Sequence, residues 1–156
     1  MQALLVTHNI LRWFILFFGI WTVFAAISGL IGKRTFTPSD NRSNFLFMLG
    51  MDIQLLVGLV LYFNGVWFES LKDHTKEVMK NENGFSRFFS MEHALMMIIA
   101  WLLVHVGRSM VKRTSIDAQK HKRGLIYFGI AILIILAMVP WPFRDIAVAR
   151  PWFRQF

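Results

Sequence analysis

The sequence predicts an all-α integral membrane protein, an up-down-up-down bundle of four transmembrane helices. The 156-residue chain is 56% hydrophobic, and only 17% of its residues are charged, against about 25% in soluble domains. Four apolar runs alternate with polar connections along its length. A lipid bilayer can cover such apolar surface on all sides. The length suits a single transmembrane domain, residues 1–156.

Each apolar run is long enough to be a membrane span. The spans are expected at about residues 8–32, 44–63, 88–110 and 124–143. Residues 13–32 carry no charge, and twenty residues cross about 30 Å of hydrocarbon at 1.5 Å per residue. Asp52 and Gln54 interrupt the second span, and the third must include Glu92. Pro140-Trp141-Pro142 closes the fourth.

The connections contain the expected helix ends. Gly32-Lys33-Arg34 ends the first helix, and Pro38-Ser39-Asp40 predicts a tight turn. Residues 64–86 form a polar loop with charges of alternating sign, which predicts a short solvated helix broken at Asn83-Gly84. No basic segment precedes the first apolar run, so this run is expected to remain as a helix rather than be cleaved as a signal peptide.

Composition also excludes several kinds of chemistry. The absence of cysteine excludes disulfides, iron–sulfur clusters and covalently attached haem. The chain has a net charge of +8, and most of its charged residues lie in the connections between the apolar runs. This distribution is typical of membrane topology signals, so no nucleic-acid partner is expected. Glu92-His93 lacks the second histidine of a zinc protease motif. A soluble-type hydrolase is therefore not expected.

The lysine and arginine positions predict the orientation. Nine lie on one side of the membrane: Lys33, Arg34, Arg42, Arg108, Lys112, Arg113, Lys120, Lys122 and Arg123. Seven lie on the other side: Lys72, Lys76, Lys80, Arg87, Arg144, Arg150 and Arg154. Cytoplasmic connections carry the basic excess. The sequence thus predicts a bacterial inner-membrane protein with both termini and the 64–86 loop in the periplasm.

Ionisable residues inside spans are costly and need a partner or a purpose. One group is predicted near the outer face: His8, Arg12, Tyr62, Glu92, His93 and Arg144. In one interpretation, His8 and His93 on diagonal helices ligate the iron of a b-type haem, with Arg12 and Arg144 beside its propionates. In the alternative, Arg12 pairs with Glu92 and the histidines form interfacial hydrogen bonds without a cofactor.

A second polar group, Asp52, Gln54 and His105, is predicted deeper in the membrane. Asp52 and His105 either form a proton-transfer pair or quinone contact, or only a polar contact between helices two and three. His105 lies roughly 18 Å from His93 along its helix and has no histidine at its own depth, so a second haem is not expected. His74 and His121, in charged segments, are expected to face water.

Four segments also carry a family resemblance. They are THNILRW at residues 7–13, DIQLLVGLVLYF at 52–63, MEHALMM at 91–97 and VPWP at 139–142. Together they resemble a family of small four-helix membrane proteins from Bacteroidota that are labelled cytochrome b-like. The resemblance covers nearly the whole chain and implies haem and electron transfer. Members of that family often carry a histidine where this chain has Asp52, so the resemblance supplies no ligand on helix two and leaves His8 and His93 unaffected.

Two functions are compatible with these features. The first is a small b-type cytochrome or quinone-linked redox subunit. The second is a non-catalytic accessory subunit that packs against other membrane protein subunits, which the many Phe and Met residues and the few polar groups favour. A transporter would need a polar lining through the full depth, and the middles of helices one and four lack it.

Overall fold

The computed structural model describes residues 1–73, 76–77, 85–144 and 148–153. His74, Lys80, Asn83-Gly84 and Arg154 lie outside the described residues. Within them the chain is helical and contains no strand. The five helices are α1 (Gln2–Ile31), α2 (Pro38–Asn64), α3 (Val66–Asp73), α4 (His93–Lys112) and α5 (Asp117–Met138). A helical turn, Phe85–Arg87, and a π-helical turn, Phe88–Glu92, lead into α4.

Four helical segments are long and apolar enough to cross a membrane: α1, α2, Phe88–Lys112 and α5. Three of them have ends that differ by several residues from the expected spans. Helix α2 begins at Pro38 rather than at residue 44. Helix α1 begins at Gln2, because the first residues contain no helix breaker. Helix α5 begins at Asp117 and ends at Met138, before Pro140. The charged residues that the sequence suggested as a connection are thus the first two turns of α5.

The four long helices form a ring in which each packs on two neighbours. Helix α1 packs against α2 and α5, and α4 packs against the same two helices. Neighbouring helices are antiparallel: on the α1–α2 interface, Gly19 lies against Phe47, whereas His8 lies against Gly58. We call the end with residues 1–8 and 138–153 the terminal end. The end with the connections 32–37 and 113–116 is the short-loop end.

Aromatic and small side chains fill the centre of the bundle. Phe47 and Phe128 are fully buried, and their rings meet edge to face at 6.0 Å. Gly19 makes room for Phe47 and Ile132, since a Cβ there would lie 2.5 Å from Ile132 Cδ1. Large apolar side chains such as Phe24 and Leu133 point outward and are about two-thirds exposed. Such an outward apolar surface is typical of helices that contact lipid.

The beginning of α2 explains how the first connection is closed. Thr37 accepts a hydrogen bond from the Asp40 backbone N–H, and the Asp40 carboxylate accepts one from the Thr37 N–H at 2.8 Å. This reciprocal pair is a capping box, and Pro38 occupies the first turn of the helix, where no backbone donor is needed. The tight turn predicted at Pro38-Ser39-Asp40 is therefore the first turn of α2.

Candidate functional site

The two histidines predicted near one face do meet at the terminal end. His8 on α1 and His93 on α4 lie on helices across the bundle from each other, and their ring centroids are 6.3 Å apart with a 56° angle between the planes. Both residues are half-buried. A Cβ added to Gly58 would lie 3.8 Å from His8 Nε2, an ordinary van der Waals distance, so the imidazole packs beside this part of α2.

The ring of His93 is fixed by its neighbours. Its Nδ1 lies 2.9 Å from the Met138 carbonyl oxygen, and because a carbonyl can only accept, Nδ1 carries the hydrogen. The lone pair is then on Nε2, as in metal-binding histidines whose other nitrogen donates to a carbonyl. Phe88 and Phe89 in the π-helical turn lie against the same ring, with centroids at 5.7 and 6.3 Å.

Two cations cover these aromatic rings. The Arg144 guanidinium lies 5.1 Å from the centroid of Phe88, and that of Arg150 lies 4.6 Å from the centroid of Phe89. Arg144 also donates to the Ala137 carbonyl oxygen at 2.7 Å. Arg150 was not part of the predicted site. Only the return of the chain after α5 brings it there, and no local sequence signal reports that return.

Arg12 and Glu92 have partners other than each other. Buried Arg12 donates through Nη2 to the Trp152 carbonyl oxygen at 2.7 Å, and Trp13 Nε1 donates to the same oxygen at 3.1 Å. Glu92 accepts a hydrogen bond from Arg87 Nε at 2.7 Å. The predicted pairing is thus replaced by two others. Arg12 joins α1 to the returning C-terminal segment rather than to α4.

Two further predicted residues connect helices at this end. The Tyr62 hydroxyl donates to the Ser90 carbonyl oxygen at 2.7 Å, and Gln54 Nε2 donates to the His8 carbonyl oxygen at 3.1 Å. Gln54 therefore lies nearer to His8 than its predicted depth beside His105 implies. Gln54 Oε1 and Ser90 Oγ are buried without a hydrogen-bond partner among the described residues.

Asp52 and His105 are in contact on the face between α2 and α4. His105 Nε2 lies 3.1 Å from Asp52 Oδ1, which also accepts from Trp101 Nε1 at 2.7 Å. His105 Nδ1 lies 3.0 Å from the Trp101 carbonyl oxygen. About a third of each side chain of the pair is exposed.

The short-loop end contains a different polar group. Arg34 donates from both terminal nitrogens to the Asp40 carboxylate, at 2.6 and 2.7 Å, and this hydrogen-bonded pairing raises the pKa of Arg34. Buried Arg108 donates to the Asn41 carbonyl oxygen and lies over the Phe45 ring at 5.3 Å. These contacts join the first connection to α2 and α4.

His121 does not face water, and this prediction was wrong. Only 1% of the residue is exposed, and its ring lies under Gly29, where an added Cβ would be 2.3 Å away. The Phe36 ring packs beside it at 5.4 Å. Charged neighbours suggested a loop, yet in a helix that begins at Asp117, His121 lies on the face of Gly124 and Phe128, which is buried. The helical spacing of His121, Gly124 and Phe128 was the sequence signal that could have predicted this burial.

In comparisons with known proteins, no family model, no curated protein and no solved structure matches the chain. The cytochrome b-like resemblance therefore stays a prediction. Among the described residues, no group of three His, Asp or Glu residues is arranged to hold a metal ion. Any metal chemistry at the terminal end would depend on the two histidines.

The terminal end brings together two imidazoles, which are the side chains that would hold a metal ion or a haem iron there. The ring centroids of His8 and His93 are 6.3 Å apart, so both residues would lie beside one bound group. The Met138 carbonyl selects the tautomer that a metal needs at His93. Arg144 and Arg150 supply nearby positive charge for an anionic cofactor.

Proposed function

We propose that this protein is a small b-type cytochrome-like redox subunit, inserted in the inner membrane as an up-down-up-down four-helix bundle. The observation that carries the proposal is the approach of His8 to His93 from helices across the bundle. Haem is the cofactor class that takes two neutral imidazoles from opposite sides, and when bound it supplies one-electron transfer.

The neighbouring residues have separate roles in this proposal. His93 would offer Nε2, because its Nδ1 is hydrogen-bonded to the Met138 carbonyl oxygen, and His8 would provide the second ligand. Phe88 and Phe89 exclude water from His93, which favours binding of a flat apolar ring system. Arg144 and Arg150 offset the carboxylates of the cofactor. Tyr62 donates a hydrogen bond to the Ser90 carbonyl oxygen and so holds α2 against the π-helical turn beside His93.

The Asp52–His105 pair supports a second role, as the point where a quinone or another hydrogen-bonding partner is contacted. The pair is about one-third exposed, and Ile53 and Leu102, on the same two helices, are exposed apolar side chains that would contact the bilayer. An ionisable pair at this depth is costly unless a partner satisfies it or a proton-transfer role requires it. A quinone in the lipid would approach it laterally, without entering the bundle.

An absorbance spectrum tests the haem proposal directly. The protein, purified from a haem-replete host, should show the reduced spectrum of six-coordinate haem, with one haem per chain. His8→Ala and His93→Ala should each abolish that spectrum, because each removes one axial ligand. His105→Ala is the matched control and should keep it. A colourless wild-type protein of intact helicity would contradict the proposal and favour the accessory-subunit function.

The proposed topology has the terminal end in the periplasm. Its support is the distribution of basic residues, since the short-loop end carries Lys33, Arg34, Arg113, Lys122 and Arg123. Reporter fusions after residue 156 and within the 113–116 connection would measure it. A reporter that is active in the cytoplasm at residue 156 would reverse the orientation and move His8 and His93 to the inner face.

A further inference from the structure

The short-loop end encloses a small polar cavity that neither the haem site nor the Asp52–His105 pair uses. It lies between α1, α2 and α5, and its lining includes Thr22, Phe36, Asp40, Asn44, Lys120 and His121. The volume open to the centre of a water molecule is about 10 Å³. That is approximately the space one water molecule needs, and it is too small for an organic ligand.

Two polar atoms in this lining lack a partner. Thr22 is 2% exposed and His121 is 1% exposed, and neither Thr22 Oγ1 nor His121 Nε2 has a hydrogen-bond partner among the described residues. A buried polar atom left unpaired loses its hydration without compensation, and native structures rarely tolerate this. Two such atoms beside one water-sized space indicate that the space is hydrated.

We infer that one ordered water molecule binds in this cavity and bridges Thr22 on α1 to His121 on α5. A hydroxyl can both donate and accept, and water can do the same, so the bridge is satisfied with either tautomer of His121. The Asn44 side chain, buried on α2, also lines the cavity and offers a further partner. Buried waters typically make two to four such hydrogen bonds.

Close packing explains why Thr22 Oγ1 and His121 Nε2 do not hydrogen-bond to each other or to the solvent. Gly29 is pressed against the imidazole, since a Cβ there would lie 2.3 Å from the ring, and Phe36 packs beside it. The ring is therefore held in place between helices. A bound water provides the hydrogen bonds that these fixed neighbours do not, and it links three helices at the point where α5 begins its passage through the bundle.

A high-resolution structure of the full chain in detergent or nanodiscs tests the site directly. The expected result is isolated density within hydrogen-bond distance of both Thr22 Oγ1 and His121 Nε2. An empty cavity, at a resolution where other internal waters are visible, would overturn the inference.

The Thr22→Val variant provides an independent test because hydrated and dry cavities predict opposite signs. Valine keeps the shape of threonine but removes the hydroxyl. If water is bound, the water and His121 lose a partner, and the melting temperature should fall by about 2–4 °C. If the cavity is dry, the same change removes an unsatisfied polar atom, and the melting temperature should stay the same or rise.

A matched variant and a change of salt complete the test. Thr22→Ser keeps the hydroxyl and should retain the bridging density, whereas Thr22→Val should lose it. Replacing sodium chloride with choline chloride at equal ionic strength should leave the melting temperature unchanged, because water is the ligand. Stabilisation by sodium that disappears in Thr22→Val would show a cation site instead and would overturn the water assignment.

Discussion

At the short-loop end, Arg34 binds a carboxylate six residues away, whereas at the terminal end Arg12 binds a carbonyl 140 residues away. Other contacts at the two ends show the same contrast in sequence separation. Thr37 and Asp40 cap α2 within one turn, while His93 is held by the Met138 carbonyl at the far end of α5. The carboxylate and capping contacts that close the first connection join near neighbours in sequence, whereas Arg12 and His93 bind carbonyl groups that the complete fold brings to them.

This difference indicates how each end responds to change. Contacts between near neighbours close short loops at small entropic cost and form early. Contacts between the two ends of the chain form only when the last residues return to α1. Damage at the short-loop end should therefore lower the stability of the whole bundle. Damage at the terminal end should first loosen the returning segment and leave the helices in place.

The largest effect is expected from Asp40→Ala. This substitution removes the partner of Arg34 and one half of the α2 capping box, and breaking a buried pair costs about 3–5 kcal/mol. Because about a third of the Arg34 side chain remains exposed to solvent, we expect the lower limit, about 3 kcal/mol, in the free energy of unfolding in detergent.

Asp117→Ala is the matched control for this change. Asp117 pairs with Lys120 at 3.2 Å, and the Asp117 side chain is 36% exposed, so its loss should cost about 0–1 kcal/mol. Equal losses for the two aspartates would show that burial does not distinguish these two pairs at the short-loop end.

Two glycine substitutions compare the packing of the ends. Gly29→Ala places a methyl group 2.3 Å from the His121 ring, and overpacking of this kind costs about 1–3 kcal/mol. Gly58→Ala places its methyl group 3.8 Å from His8, an ordinary contact, and should change stability by less than about 0.5 kcal/mol. Thermal unfolding of both variants measures the difference. A greater loss in Gly58→Ala would contradict the described packing.

Arg12→Met should loosen the C-terminal segment without unfolding the bundle. Methionine keeps the apolar stem but removes the charged donor to the Trp152 carbonyl oxygen, a bond worth about 1.5–3 kcal/mol. Hydrogen exchange of residues 148–153 should become at least about tenfold faster, which corresponds to about 1.4 kcal/mol. Arg42→Met, an exposed site at the other end, should leave that exchange unchanged. Unaltered exchange in Arg12→Met would exclude Arg12 as the attachment point.

The smallest effect is expected between the ends, at Trp101. Trp101→Phe removes the indole donor to Asp52 Oδ1, and hydrogen bonds between transmembrane helices contribute about 0.6 kcal/mol on average. A double-mutant cycle with Asp52→Ala should give a coupling energy of this size. Trp21→Phe on α1, whose indole is 44% exposed, serves as control. A coupling energy of zero would mean that this polar contact contributes nothing to helix association.

The helical architecture was predictable because long apolar runs can only be satisfied as helices in a bilayer. The approach of His8 to His93 was predictable for a related reason: depth follows from residue counting along straight helices. The hydrogen-bond and ion-pair partners of residues at the terminal end were not predictable from the sequence. Arg12 contacts Trp152 only because the chain turns back after Pro140, and neither charge nor periodicity reports such a return. Glu92 then pairs with Arg87, five residues away, rather than with Arg12.

The short-loop end was misread for a different reason. The charged residues Lys120, Lys122 and Arg123 suggested a loop, although the spacing from His121 to Gly124 and Phe128 is helical. Long basic side chains can extend from a helix to water while its other face is buried. Charge density alone therefore does not mark the end of a helix near a membrane surface, and the phase of the small and aromatic residues is the better guide.

The π-helical turn at Phe88–Glu92 sets the rotation of the preceding chain relative to α4 in the third span. It is closed by a hydrogen bond from the His93 N–H to the Phe88 carbonyl oxygen, so it holds one more residue than an α-helical turn. One residue corresponds to about 100° of rotation. Insertion or loss of a single residue there would turn Phe88 and the preceding chain to a new side while α4 kept its place. A one-residue insertion or deletion in this turn would thus change which side of the preceding chain faces His93, without any substitution in α4.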